Sequence, residues 1–273
     1  MKDSDYKKEF LNVFARFEYK YSKWEVWQDF LYLAAASMAN VFPTKERAER
    51  EKTYLSIIKK YPKELQDSFT ELLAIVALAL DENPEQDFLG ELYHRLNLQQ
   101  HQKGQFFTPY HICEFMSEIQ MVEQEAEDNS WEKGYITVGD CACGAGAMLI
   151  AFANVARKHK INFQTEVLFF AQDIDLTAAL MCYVQLSLLG CSAFVIVGDS
   201  LAKPGFHPDN QVWCTPMYYV NWWRFRKPSG SGGNEETAAE CVHEASILPV
   251  TEGASGQLAF DFDASLEKMK KVS

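Results

Sequence analysis

Residues 137–149 read T-V-G-D-C-A-C-G-A-G-A-M-L. A short apolar run, Tyr135, Ile136 and Val138, leads into Asp140. Gly144 and Gly146 follow, and residues 147–155 are then apolar in a helical pattern. The order is strand, glycine turn, helix. Glycines in such a turn let a ligand approach the backbone closely. The helix start offers it unpaired N–H groups and a positive dipole end. A single G-x-G is weak evidence alone, and its flanks decide what it means.

Downstream the alternation continues. A strand at 166–172 ends at Asp173 and Asp175, with Asp175 reading as the cap of the next helix. That helix, 176–189, stops at Gly190. A third strand, 193–197, ends in Gly198-Asp199-Ser200. Strands alternating with helices predict a parallel, doubly wound sheet. Ligands in such sheets lie beyond the carboxyl ends of the strands, where Asp140, Asp173 and Asp199 stand. Any one of them alone reads equally well as a cap. Three successive strand-end acids point to a site.

Upstream, G-Q-F-F-T-P at 104–109 breaks the pattern, with Thr108 as helix cap and Pro109 at the first helical position of 110–122. Two adjacent phenylalanines, Phe106 and Phe107, in a loop call for a contact. Residues 1–103 read as helical. Phe10, Val13, Phe14 and Phe17 share one face, residues 24–42 are strongly apolar, and Leu65, Phe69, Leu72, Val76 and Leu80 form another stripe. These stripes read as core.

Past Leu201 comes a loop and then V-W-C-T-P-M-Y-Y-V-N-W-W-R-F-R-K at 212–227. Its end mixes aromatic and basic residues, as single-strand nucleic-acid surfaces do, or as an edge strand with a basic face does. From Pro228 the chain turns small, polar and acidic, the composition of a flexible tail. The expected organisation is a helical region at 1–103, a core at 104–227 and a tail at 228–273.

The chain has 273 residues, 48% of them hydrophobic, and a net charge of −12. That supports a real core and opposes stand-alone nucleic-acid binding, which draws on basic residues. Seven cysteines without a C-x-x-C pair suggest a reducing cytoplasm. No signal peptide or membrane span is expected. Cys141 and Cys143 lack partners at metal-ligand spacing, and no H-x-x-x-H pair occurs, so no metal site is expected.

Four stretches in this order, G-Q-F-F-T-P, D-C-A-C-G-A-G, A-Q-D-I-D and G-D-S-L, resemble the methyltransferase subunits of bacterial type I restriction–modification systems. More broadly they resemble the N6-adenine DNA methyltransferases. The similarity covers about residues 85–201. The family turn reads D-P-A-C-G-S-G, and this chain has Cys141 for the proline and Ala145 for the serine. The resemblance implies a seven-stranded, Rossmann-like sheet that binds S-adenosylmethionine, although 212–225 has room for only one or two of the strands completing it. It places Asp140, Cys143, Gly144 and Gly146 around the methionine half of the cofactor, and Phe106, Phe107, Thr108 and Pro109 over it. It places Asp173 on the ribose hydroxyls, Asp199 on the adenine amino group, and Ile174 and Leu201 against the adenine ring.

The family holds its target base with an Asn/Asp-Pro-Pro-Tyr/Phe tetrad. The nearest match here is Thr215-Pro216-Met217-Tyr218, which makes Thr215, Pro216 and Tyr218 the catalytic candidates. Threonine is the poorer acceptor, and losing one such contact costs roughly 10²–10³ in rate. The resemblance also implies DNA as substrate and a specificity subunit or other DNA-binding partner. The alternative is a catalytically degenerate binding module of a phage or mobile element that acts through protein partners. In the tail, Gln257-Leu258-Ala259-Phe260-Asp261-Phe262 resembles the Gln-x-x-Leu-x-Phe peptides that dock on the bacterial sliding clamp.

Overall fold

A computed structural model describes residues 3–98, 107–126 and 135–221. Helices α1 (Asp3–Phe14), α2 (Lys23–Ala39), α3 (Arg47–Ile58), α4 (Lys63–Glu82), α5 (Phe88–Arg95) and α6 (Tyr110–Ala126) come before the sheet. Then follow β1 (Ile136–Asp140), α7 (Ala147–Lys158), the single turn α8 (Phe163–Glu166), β2 (Val167–Asp173), α9 (Leu176–Leu188), β3 (Ala193–Val197), β4 (Gln211–Cys214) and α10 (Pro216–Val220).

The helix α2 sits at the centre. Ser22 caps it by accepting the Glu25 N–H at 3.1 Å, which ends one of the unpaired donors of a helix start. Its apolar residues cover more than one face, and it packs on α3, α4 and α9. The Phe10 ring meets Trp27, Phe30 and Phe88 edge-on at 6.0, 5.6 and 6.3 Å between centroids. The aromatic stripes are therefore core. One buried cluster runs without a break from Phe10 and Trp27 to Leu149, Phe169 and Val195. The helical region and the sheet share that core.

The strands lie in the order β1-β2-β3-β4. The first three are parallel, with Asp140 beside Ala171 and Asp173 beside Val197. β2 and β3 are nearly continuous apolar runs because both of their faces are buried. Val167, Phe169 and Val195 face the α7 and α9 side. Leu168, Phe194 and Ile196 face the other side, where Tyr218 and Tyr219 of α10, with Phe42, cover them. Over β1 that second face leaves Thr137 and Gly139 exposed.

The strand predicted within 212–225 forms as β4, but it runs antiparallel to β3 at the outer edge. Arg50 secures it there. Its guanidinium lies 4.4 Å from the Trp213 ring centroid and donates to the Val212 carbonyl at 2.9 Å and to Thr44 Oγ1 at 3.3 Å. A doubly wound sheet needs strands on both sides of β1. Among the described residues β1 has one neighbour, β2, so that arrangement is not completed. The fold is α/β, with a helical N-terminal region and a small mixed sheet.

Candidate cofactor-binding rim

The turn after β1 is built from two glycines that no other residue replaces freely. Gly144 has φ +54° and Gly146 φ +94°. A Cβ on Gly144 would meet the Phe107 ring at 3.0 Å, and one on Gly146 would meet Cys182 Sγ at 2.9 Å and its Cα at 3.4 Å. The turn closes on itself through the Gly146 N–H, which donates to the Cys143 carbonyl at 2.8 Å. It is tied to β2 by the Cys143 N–H, which donates to the Gln172 carbonyl at 3.0 Å. Gly146 then caps α7.

Asp140, Asp173 and Asp199 lie at the carboxyl ends of three neighbouring strands. Strands stand about 4.8 Å apart, so together they edge a rim roughly 10 Å wide. Asp140 accepts the Ala142 N–H at 3.0 Å. Asp173 spans two segments: one oxygen accepts the Gly144 N–H and the other the Asp175 N–H, both at 2.9 Å. Burial pushes its carboxyl above the usual range, against the pull of those two N–H groups. Asp199 accepts from Leu201 and Ala202, at 2.9 and 3.1 Å. The Ala202 and Leu201 N–H groups hold its carboxyl below the usual range. Asp175 caps α9, as its position suggests, by accepting from Thr177 at 2.7 Å.

Beside these carboxylates stand two large apolar side chains in water, Ile174 at 71% exposure and Leu201 at 94%. Cys143 is buried, and its thiol is pushed well up, first by a hydrogen bond with the Cys182 thiol and then by burial. Phe107 lies against the turn, while Thr108 and Pro109 are exposed. The helix after them begins at Tyr110, so Pro109 precedes it rather than opening it. Phe106, the basic run 222–227 and the tail motif 257–262 lie outside the described residues.

The model of the N-6 DNA methylase family matches residues 85–253. The chain belongs to this family. No curated protein and no solved structure matches it. The N-6 DNA methylase match takes in the glycine turn and all three rim carboxylates. It begins just ahead of α5, so that helix belongs with the family region.

One expectation needs correction. The structure does not bring Thr215, Pro216 and Tyr218 to this rim. Because β4 is antiparallel, its end lies beside the start of β3, with Cys214 opposite Phe194. Thr215 is wholly buried there. Its hydroxyl donates to the Cys191 carbonyl at 2.6 Å and accepts the Ala193 N–H at 2.9 Å, a structural duty at the far end of the strands. Tyr218 is buried against Phe194, 4.4 Å between centroids. Reading distance along the chain as distance past Asp199 missed the reversal of strand direction.

The residues that brace the turn from behind, Asp87, Tyr93, His94 and Gln185, were not singled out from sequence. A signal was there. Gln185 is a lone amide in an otherwise apolar stretch, A-A-L-M-C-Y-V-Q-L at 178–186.

Proposed function

We propose that this N-6 DNA methylase family member binds S-adenosylmethionine along the carboxyl rim of β1, β2 and β3 and serves methyl transfer to adenine N6 in DNA. The observation carrying this reading is Asp173, whose carboxylate joins the glycine turn at Gly144 to the loop leading into α9.

The residues present fit such a cofactor. Glycine at 144 and 146 gives the turn its positive φ and lets it pack directly against Phe107 and Cys182, with no side chain of its own on the rim. A carboxylate has about four lone-pair positions, so Asp173 retains acceptors for two ribose hydroxyls beyond its backbone bonds. Asp199 is placed to accept from an exocyclic amine, and exposed Ile174 and Leu201 offer the apolar flanks that an adenine ring would cover. Bound there, S-adenosylmethionine supplies a methyl group already activated on a sulfonium. The work left to the protein is alignment and exclusion of water. Asp140 and Cys143 shape the methionine end of the rim, and Phe107 closes its side.

A second reading is a degenerate module that keeps the cofactor fold and acts through partners. Two observations favour it: the chain contains no Pro-Pro pair, and Thr215 is engaged at the other end of the sheet. In either reading the net charge of −12 calls for a basic partner, such as a specificity subunit, at the DNA. Calorimetry with S-adenosylmethionine tests the shared premise, since absence of binding by folded protein at hundreds of micromolar contradicts both. Transfer of a radiolabelled methyl group to mixed-sequence DNA, abolished in Asp173→Asn, supports the enzyme. Binding without transfer to any DNA, with or without a partner, supports the module. The clamp-like peptide is tested separately by titrating residues 252–266 with a bacterial clamp. Binding that ignores Gln257→Ala and Phe262→Ala would refute it.

A further inference from the structure

We infer that α5 and Gln185 are the positioning element of the glycine turn, so that the N-terminal helical region sets the geometry of the proposed cofactor site. The inference rests on reading that turn as the cofactor site.

Gln185 lies on α9 and is 0% exposed. Its amide makes three hydrogen bonds to three points. The nitrogen donates to the Ala145 carbonyl, inside the turn, at 2.9 Å, and to Asp87 Oδ1 at 2.8 Å. The oxygen accepts the Leu89 N–H at 3.0 Å. Asp87 is the cap of α5 and also accepts the Gly90 N–H at 2.9 Å. A Cβ at Gly90 would run into the Asp87 carboxylate, so D-F-L-G at 87–90 is built around this junction.

The other end of α5 reaches the same turn by a different route. Phe107 stacks on Tyr93 at 5.6 Å and meets His94 edge-on at 5.3 Å. The Cδ1–Cε1 edge of that ring lies 3.0 Å from where a Gly144 Cβ would stand. One eight-residue helix thus holds Ala145 through an amide and Gly144 through an aromatic ring. Buried hydrogen bonds of this kind are costly to leave unmade. Gln185 has also used its two N–H groups and one lone pair, which fixes its orientation. None of these side chains need touch substrate. They act through the turn.

The test measures amide exchange of residues 143–147 in the ligand-free protein and S-adenosylmethionine affinity by calorimetry, at a temperature where every variant is folded. Gln185→Met keeps the volume and removes the three bonds. Phe69→Leu, in the distant Phe17–Tyr61–Phe69 cluster, serves as a control destabilised elsewhere. The expected result is exchange faster by about tenfold in Gln185→Met, with affinity weaker by about tenfold, and neither change in the control. The double variant Asp87→Asn with Gln185→Glu keeps an acceptor for the Leu89 N–H but turns a carboxylate toward the Ala145 carbonyl and gives up one of the two bonds that meet at Asp87 Oδ1. The turn should exchange fast in it as well, and it stands in if Gln185→Met does not fold. Turn exchange unchanged in Gln185→Met, or matched by Phe69→Leu, overturns the inference. If the wild-type protein does not bind S-adenosylmethionine, the proposed function falls, and the exchange measurement still decides this point.

Discussion

Replacing Gly146 with alanine probes the turn most directly. Gly146 sits at φ +94° in the left-handed region, which glycine adopts freely and other L-residues do not. Holding alanine there costs about 1–3 kcal/mol. The new methyl also meets Cys182 Sγ at 2.9 Å and its Cα at 3.4 Å. Sγ can swing only within a packed core and the backbone of α9 cannot step aside, so overpacking adds about 1–3 kcal/mol. Alanine lowers the entropy of the unfolded chain, which offsets roughly 0.4–1 kcal/mol. The net loss is about 3 kcal/mol. Urea unfolding with an unchanged slope should show it as a midpoint lower by roughly 1 M. A second variant, Cys182→Ala, divides the cost. In that background the sulfur contact is gone but the backbone strain is not, so the added cost of Gly146→Ala should fall by about 1 kcal/mol and no further. A Gly146→Ala protein within 0.5 kcal/mol of wild type would refute the account of the turn. A cost unaffected by Cys182→Ala would refute the packing half of it.

Asp173→Asn should weaken S-adenosylmethionine binding by about 100-fold, because an amide offers one acceptor oxygen in place of two; calorimetry measures this. Burial raises the Asp173 carboxyl, and binding needs the ionised form. Affinity should therefore hold above that raised pKa and fall as pH drops through it, and a flat profile down to the ordinary aspartate range would contradict the assignment. Thr215→Val should destabilise the fold by about 1–3 kcal/mol by orphaning the Cys191 carbonyl and Ala193 N–H. It should leave S-adenosylmethionine affinity unchanged, and loss of affinity in a fully folded sample would restore Thr215 to the site. Iodoacetamide should modify exposed Cys141 well before Cys143, whose thiol is buried and raised. Peptide mass spectrometry reads the order, and early labelling of Cys143 would show that the turn opens.

What was legible in the sequence follows from what is local. Strand, glycine turn and helix at 135–158, and the cap at Asp175, depend on neighbours within a few residues. They form as their spacing indicates. The rim carboxylates were legible for the same reason, since each ends its own strand. The direction of β4 was not. Four residues, Gln211–Cys214, carry no mark of parallel or antiparallel pairing, and the strand is fastened by Arg50, 162 positions from the Val212 carbonyl it binds. The bracing of the turn by α5 was hidden likewise, because Asp87 and Gln185 are 98 positions apart and neither departs from its local pattern except by being polar.

Arg50 gives the sheet a sense. At the β4 margin its guanidinium takes up the Val212 carbonyl and lies over Trp213. At the β1 margin, among the described residues, no strand is paired. With that carbonyl taken, an added strand finds fewer open acceptors at the β4 margin than at the β1 margin, so strand pairing between copies favours the side of Asp140. A single buried cation on α3 thus biases how copies of this chain can join through their strands.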